Sequence, residues 1–272
     1  MGKIVRLDGT VIADDPGRFS ASLIEDAVRM GDDLSRIEVV SENLEGLNLS
    51  SAQFRGAHFT EVKFAETKLC WAKLDNAVFE GCNFTDTDMD YMCARGVKFS
   101  HSWMTHTSLV DANLTGAKFE DVNMTYANLR RATMTNARLN DVRLEQTDMR
   151  EVDLSGVQGL LSASDWMRDN FHKIDEGYIV YKVFGSVYNP SKSWKIEEGS
   201  VIEEVVNSHR CIECGCGINF GTLEFVREMR QDLPIWECLL SWEDLADLVV
   251  PYTTTGKARC GKLTVLRDID GG

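Results

Sequence analysis

A strict five-residue period constrains this chain more than any other feature. From Leu44 to Leu154 every fifth residue is Leu, Phe or Met, with one exception, Ala94, among 23 positions. Leu34 and Val39 carry the phase back to give 25 centres. Two residues before each centre stands a small or modest apolar residue, as at Ala52, Ala57, Val62, Ala72 and Ala77, with Thr67, Cys82 and Ser102 in the same slot. A helix repeats every ~3.6 residues and a flat strand every ~2, so neither presents one face at a spacing of five. Something must turn the chain once per repeat, and the product is a polygonal coil.

The second residue after the centre is Gly56, Asn76, Gly96, Gly116, Asn136 and Gly156 at intervals of twenty. Gly and Asn accept φ > 0, so this column predicts a four-sided coil with one left-handed corner per turn. The stretches Asp111-Ala112-Asn113-Leu114-Thr115 and Tyr126-Ala127-Asn128-Leu129-Arg130 resemble the A(D/N)LXX consensus of the pentapeptide-repeat family. That resemblance spans nearly half the chain. It implies a right-handed quadrilateral β-helix in which the centre and the residue two before it point inward.

A solenoid must cap its ends or offer open edges. Arg18 to Met30 reads as an amphipathic helix with Ser20 or Ser22 as N-cap and Gly31 as terminator, and Ser164 to Phe171 reads as another. The expected layout is a strand and helix cap over 1–31, the β-helix over 32–159, a capping helix and linker over 160–176, and a small α+β domain over 177–272. The fold class is therefore mainly β, a quadrilateral β-helix with a C-terminal α+β domain. In that domain Tyr178 to Phe184, Ser200 to Val206, Ile235 to Trp242 and Lys262 to Ile269 read as strands and Thr222 to Met229 as a helix. Residues 177–269 resemble an uncharacterised domain found after pentapeptide repeats in some bacterial and phage proteins, a resemblance that implies no activity.

Eight cysteines in 272 residues do not make a disulfide framework. Four of them, Cys211, Cys214 and Cys216 in one Gly-rich turn and Cys260 in Arg259-Cys260-Gly261, form a candidate zinc set, with Cys238 and His209 as substitutes. The other reading is a glycine turn with small buried thiols.

The net charge of -14 and pI near 4.8 argue against direct binding to nucleic acid or anionic membrane. No apolar run reaches membrane-spanning length and Met1 to Arg6 lacks a signal-peptide core, so a cytoplasmic location is expected. The motifs Gly-x-Ser-x-Gly, His-Glu-x-x-His and GxGxxG are absent, and Thr254-Thr255-Gly256-Lys257 lacks the early Gly and the Ser/Thr of a phosphate loop. The leading expectation is a non-enzymatic scaffold that engages a protein partner. One alternative is an enzymatic activity in the C-terminal domain, which would need a deep polar pocket near Tyr178, Cys214 and Cys216.

The other alternative comes from the family resemblance, since some pentapeptide-repeat proteins imitate DNA in shape and charge and bind type II topoisomerases. Residues 41–159 hold 17 acids and 12 bases, a net of only 12 - 17 = -5, and no outward acidic column runs longer than two neighbours. The favoured binding surface lies where Trp71 and Tyr91 share one corner column with Asp111, Arg131 and Glu151, beside the column Cys70, Asp90, Val110, Arg130 and Arg150. Trp71, Tyr91, Arg130, Arg131 and Arg150 are its candidate contact residues, because aromatics and Arg dominate interface hot spots. A second patch joins Trp103 with His101 and His106 near the basic stripe Lys98, Lys118 and Arg138.

Overall fold

The computed structural model describes residues 2–185, 190–212, 215–230, 232–252 and 254–270 and divides into two units, Met1–Leu160 and Leu161–Gly272. The first unit opens with β1 (Gly2–Arg6), β2 (Val11–Asp15) and α1 (Ser20–Met30). It continues with β3 (Ile37–Val40), β4 (His58–Thr60), β5 (Val78–Glu80), β6 (Lys98–Trp103), β7 (Lys118–Asn123) and β8 (Arg138–Asn140). From β3 onward the pairing is parallel in a twenty-residue register, with Glu38, His58, Val78, Lys98, Lys118 and Arg138 in line. β1 is antiparallel to both β2 and β3, so the hairpin covers the free edge of the first coil. α1 buries Leu23, Ile24 and Ala27. Its N-cap is Phe19, which makes no side-chain cap bond, rather than Ser20 or Ser22; Ser22 Oγ instead donates to the Phe19 carbonyl. Gly31 ends the helix at φ 79° as expected.

The corners differ from the expectation of one left-handed residue per turn. Every residue two after a centre, from Arg36 to Gly156, has φ between 50° and 71°, and only six of these 25 are Gly. The coil-to-coil hydrogen bonds account for this. Along the stacked coils the centre amide donates to the carbonyl nineteen residues ahead, as Leu44 to Lys63 (2.8 Å) and Leu114 to Thr133 (2.7 Å). The corner amide two residues later makes the same nineteen-residue bond, as Gly56 to Asp75 (2.9 Å) and Trp71 to Asp90 (3.0 Å). Bonding to the same neighbour on both sides of a bend holds the corner residue left-handed whatever its side chain. In the Gly/Asn column glycine is required where it follows asparagine, since a Cβ on Gly96 would lie 2.7 Å from Asn76 Oδ1 and one on Gly156 would clash with Asn136 Oδ1, while Gly116 has open space around it.

The Asn or Asp before the centre has its own task. Asn83, Asn113 and Asn123 accept through Oδ1 from the amide two residues on, at 3.0, 3.2 and 3.0 Å, and also from the hydroxyls of Thr85, Thr115 and Thr125. These side chains satisfy corner donors that the coil leaves open. Inside, Phe59, Phe79, Phe99 and Phe119 stack at 4.9, 5.0 and 5.4 Å, and Phe64 stacks on Phe84 at 4.9 Å. Buried Thr67, Thr87, Thr107 and Thr147 occupy the small slot because each hydroxyl donates to a carbonyl of the preceding coil, at 2.8, 2.6, 2.7 and 2.8 Å.

The second unit contains α2 (Ala163–Asn170), β9 (His172–Ile174), β10 (Gly177–Val183), β11 (Val201–Glu203), β12 (Ile218–Gly221), α3 (Leu223–Met229), β13 (Ile235–Ser241), β14 (Lys257–Cys260) and β15 (Lys262–Asp268). The sheet order is β11-β15-β13-β10-β12-β14, with β9 also pairing to β10. β14 lies at the end of that order yet reaches β15 through Gly261 alone, so the sheet curls back toward itself around its core. α2 is a core element of this unit, with Trp166, Met167 and Phe171 packed among Val180, Phe220 and Leu240. Ser162 caps it, accepting from the Asp165 amide.

The irregular repeat keeps the coil regular. Lys73, Cys93 and Asn113 bridge in register, and the Ala94 amide reaches the Asn113 carbonyl at 2.8 Å. Met92 stands in the small-residue column between Ala72 and Ala112, and Ala94 in the large-residue column between Leu74 and Leu114, all of them buried. Sizes are exchanged within one coil, so its filled volume is retained. Met92→Ala alone should cost about 2–4 kcal/mol by opening a cavity, and Ala94→Leu alone about 1–3 kcal/mol by overpacking. The double variant, which restores the pattern of the neighbouring coils, should cost less than the sum by at least about 1 kcal/mol in urea unfolding.

Candidate interaction surfaces

Corner side chains leave the solenoid outward, stacked at the coil spacing. Trp71 and Tyr91 lie face to face at 4.5 Å with 7° between ring planes, 58% and 44% exposed. Below them Arg131 grips Asp111 through Nε (2.9 Å) and a terminal nitrogen (2.6 Å), and this guanidinium holds the Asp111 carboxyl below the usual range. Arg150 is held by Asp148 in the same two-pronged way. Arg130 differs: its Nε is buried with no hydrogen-bond partner among the described residues. Thus the five proposed contact residues share one edge, but two of the three arginines are already neutralised within the solenoid.

The neighbouring corner carries a second stack that the sequence reading did not single out, His106 on Tyr126 at 4.9 Å and 4°, with Tyr126 54% exposed. Their spacing of twenty was the available signal. The face from Thr67 to Cys70 and its successors therefore has an aromatic stack along each edge. The second patch is also in place: Trp103 is exposed, His101 Nδ1 meets Asp121 Oδ2 at 3.1 Å, and Lys98 reaches Glu120 at 3.9 Å.

In the second unit the loop before β12 is organised by arginines. Arg259, fully buried, donates to the carbonyls of Asn207 (2.8 Å), His209 (2.6 Å) and Ile212 (2.6 Å). Gly215 gives it room, since a Cβ there would sit 3.0 Å from the guanidinium carbon. Arg210 donates to the carbonyls of Val250 (2.7 Å) and Leu161 (2.5 Å) and stacks on Tyr252.

This arrangement bears on the zinc set. Cys260 follows Arg259 on β14, so its side chain leaves the opposite face; its thiol sits in the core and donates to the Lys262 carbonyl at 3.3 Å. Cys211 is buried and Cys216 exposed, while Cys214 lies outside the described residues. A guanidinium in the turn repels a dication, and among the described residues no three His, Cys, Asp or Glu side chains converge. Cys211, Cys216 and Cys260 thus form no metal-holding group among the described residues, and the candidate set that includes Cys214 extends outside them. Two depressions, of about 320 Å³ beside Ser20, Ile24 and Glu38 and about 440 Å³ beside Arg230 and Asp270, are lined by neither Tyr178 nor Cys216.

Family models for a pentapeptide repeat region and for pentapeptide repeats match residues 72–149 and 43–74. Residues 43–149 are pentapeptide repeats. Among solved structures, full-length QnrB1, described as a plasmid-mediated fluoroquinolone resistance protein, is 15% identical over 45% of this chain and 70% of its own, with a TM-score of 0.34. The pentapeptide repeat protein Rfr23 from the cyanobacterium Cyanothece 51142 is 17% identical over 50% of this chain and 93% of its own, with a TM-score of 0.21. HetL from the cyanobacterium Nostoc, described as involved in heterocyst differentiation regulation, is 18% identical over 46% and 86%, with a TM-score of 0.16. These likenesses concern the pentapeptide-repeat fold and not function. No curated protein sequence matches the chain. Among the described residues no helix is long and apolar enough to cross a membrane.

Among the described residues the second unit holds one buried amine. Lys182 Nζ donates to the Asn219 carbonyl (2.7 Å) and lies 5.1 Å from the Phe184 ring, and burial pushes its pKa down to about 8 from an ordinary 10.5. Burial also pushes the Cys238 and Cys260 thiols up to about 12 from 9.0. Between pH 8 and 10.5 the unfolded chain keeps the lysine proton that the fold has shed, so this group makes stability rise with pH. Above pH 9 the unfolded chain loses thiol protons that the fold retains, which lowers stability. The second unit should therefore be most stable near pH 9, and Lys182→Met should remove the rise from pH 8 while leaving the later fall, as read by urea midpoints across that range.

Proposed function

We propose that this protein is a binding scaffold whose rigid solenoid presents the Trp71–Tyr91 edge to a protein partner. The observation that carries this reading is the exposed aromatic stack at two left-handed corners. Bulky residues are costly at φ > 0, and the same corner is built from Ser51 one coil earlier, so the ladder does not require aromatics there. An offset of about 0.5–1.5 kcal/mol from ring stacking softens that cost without explaining the exposure. Large, pre-ordered aromatic area beside arginines is what protein interfaces use as anchors.

The mixed charge of the solenoid favours this reading over imitation of DNA. Lys98, Lys118 and Arg138 stand in one registered stripe, where a DNA-like surface would carry acids. Trp71→Gly with Tyr91→Gly suits the backbone at both corners, and its unfolding free energy should stay within about 1 kcal/mol of the parent. Its capture of the partner that the parent retains from a lysate of the source organism should fall at least tenfold. Equal capture by the folded double variant would remove this edge from the function.

A further inference from the structure

We infer that the face between the Trp71–Tyr91 and His106–Tyr126 corners pairs with the same face of a second copy of this chain, the two solenoids running antiparallel. This rests on reading that face as a protein-binding surface, and it names the occupant. Two columns cross the face. Lys68, Asp88, Ser108, Asn128 and Asp148 bridge in line, and Asp90, Val110, Arg130 and Arg150 follow the same twenty-residue register beside them.

The sign of charge reverses along both columns. A two-fold axis lying in the face at the level of Val110, at right angles to the solenoid axis, sets each corner against its own counterpart. It brings Asp90 to Arg130, Lys68 to Asp148 and Tyr91 to Arg131 of the other copy, twice each, around a central pair of Val110 side chains. Neither Arg130 nor Lys68 is held by a carboxylate within its own chain among the described ion pairs, whereas Arg131 and Arg150 are.

The remaining faces lack this property. Turned end over end, the Lys98, Lys118 and Arg138 stripe meets itself with like charges, and so does the column holding Lys63, Trp103 and Arg143. On the fourth face Asp75 is already shared between Arg55 (3.6 Å) and Arg95 (3.0 Å). The column beside it reverses sign from Lys73 to Asp153, but about that level Asp75 meets Ser155 and Arg95 meets Thr135, so of the four faces this one alone joins opposite charges in both columns about one axis. Five coils at ~4.8 Å make it roughly 20 Å tall, an interface at the small end for specific association. The pairing is accordingly a weak, reversible dimer that salt weakens further.

Analytical ultracentrifugation of the full chain from about 1 to 200 µM, in about 50 mM and 500 mM salt, tests it. The parent should dimerise, less so in high salt. Arg130→Glu and Lys68→Glu should each weaken the dimer at least tenfold with the melting curve retained. Asp90→Lys combined with Arg130→Glu in one chain should restore it, because reversed charges again meet opposites. Asp90 also accepts from Ser108 Oγ and the Val110 amide, so if its replacement unfolds the coil, Lys68→Glu with Asp148→Lys is the reciprocal pair. A parent monomeric throughout, a dimer indifferent to Arg130→Glu and Lys68→Glu, or folded double variants that stay monomeric would each overturn the pairing. A monomer that still loses lysate capture on Trp71→Gly with Tyr91→Gly would overturn the second copy as occupant and leave the scaffold reading standing.

Discussion

The hydrogen bond from each corner amide to the coil below is the constraint on which the solenoid depends. In each coil that has another ahead of it, this bond goes with a left-handed residue at all four corners, at Trp71, Tyr91 and Arg131 as much as at Gly56. For an L-residue that conformation costs about 1–2 kcal/mol, and the ladder of amides with the buried Phe and Leu columns offsets it. One consequence reaches the surface directly. Because corner identity is not set by the core, the outward columns are free to carry rings, acids or arginines, and twenty-residue spacing turns any two such choices into a stack or an ion pair.

The surface that results is patterned in two dimensions. Along a column, neighbours lie close enough to pair, as Trp71 with Tyr91 and Asp111 with Arg131. Across a face, adjacent columns combine into a surface of fixed register with little side-chain entropy left to lose on binding. The second unit reaches order by another route. Its sheet closes through the single residue between β14 and β15, and two arginines tie the loop before β12 to carbonyls that the sheet leaves unused.

Much of the solenoid was legible because each repeat reports the same inward slots. The period of five gave the coil, and the Gly/Asn column gave its twenty-residue length. That column also misled, because the other corners are left-handed too, with Trp, Tyr, Arg or an acid at many of them, so residue preference does not mark them. The predicted strands and helix of the C-terminal unit appear within a few residues of their expected ends. β9, β12 and β14 escaped because strands of three or four residues beside Gly-rich turns carry too little alternation to read. In the cysteine turn, attention to thiol spacing passed over Arg259, whose neighbour Cys260 faces the core. No sequence rule says that a buried guanidinium gathers three carbonyls there. His106 and Tyr126 were readable by the same column arithmetic that found Trp71 and Tyr91.

Amide hydrogen exchange across the solenoid tests the central claim most directly, that every corner is an equal rung of one ladder whatever its side chain. The amides of Trp71, Tyr91, Asp111 and Arg131 donate to the next coil at 2.9–3.1 Å, as do those of Gly56, Gly96 and Gly116 at 2.9 Å. The two sets should show the same protection, close to that of global unfolding of the solenoid. Rapid exchange confined to the aromatic and arginine corners, with the glycine corners still protected, would mean that these side chains loosen the ladder and would contradict the account.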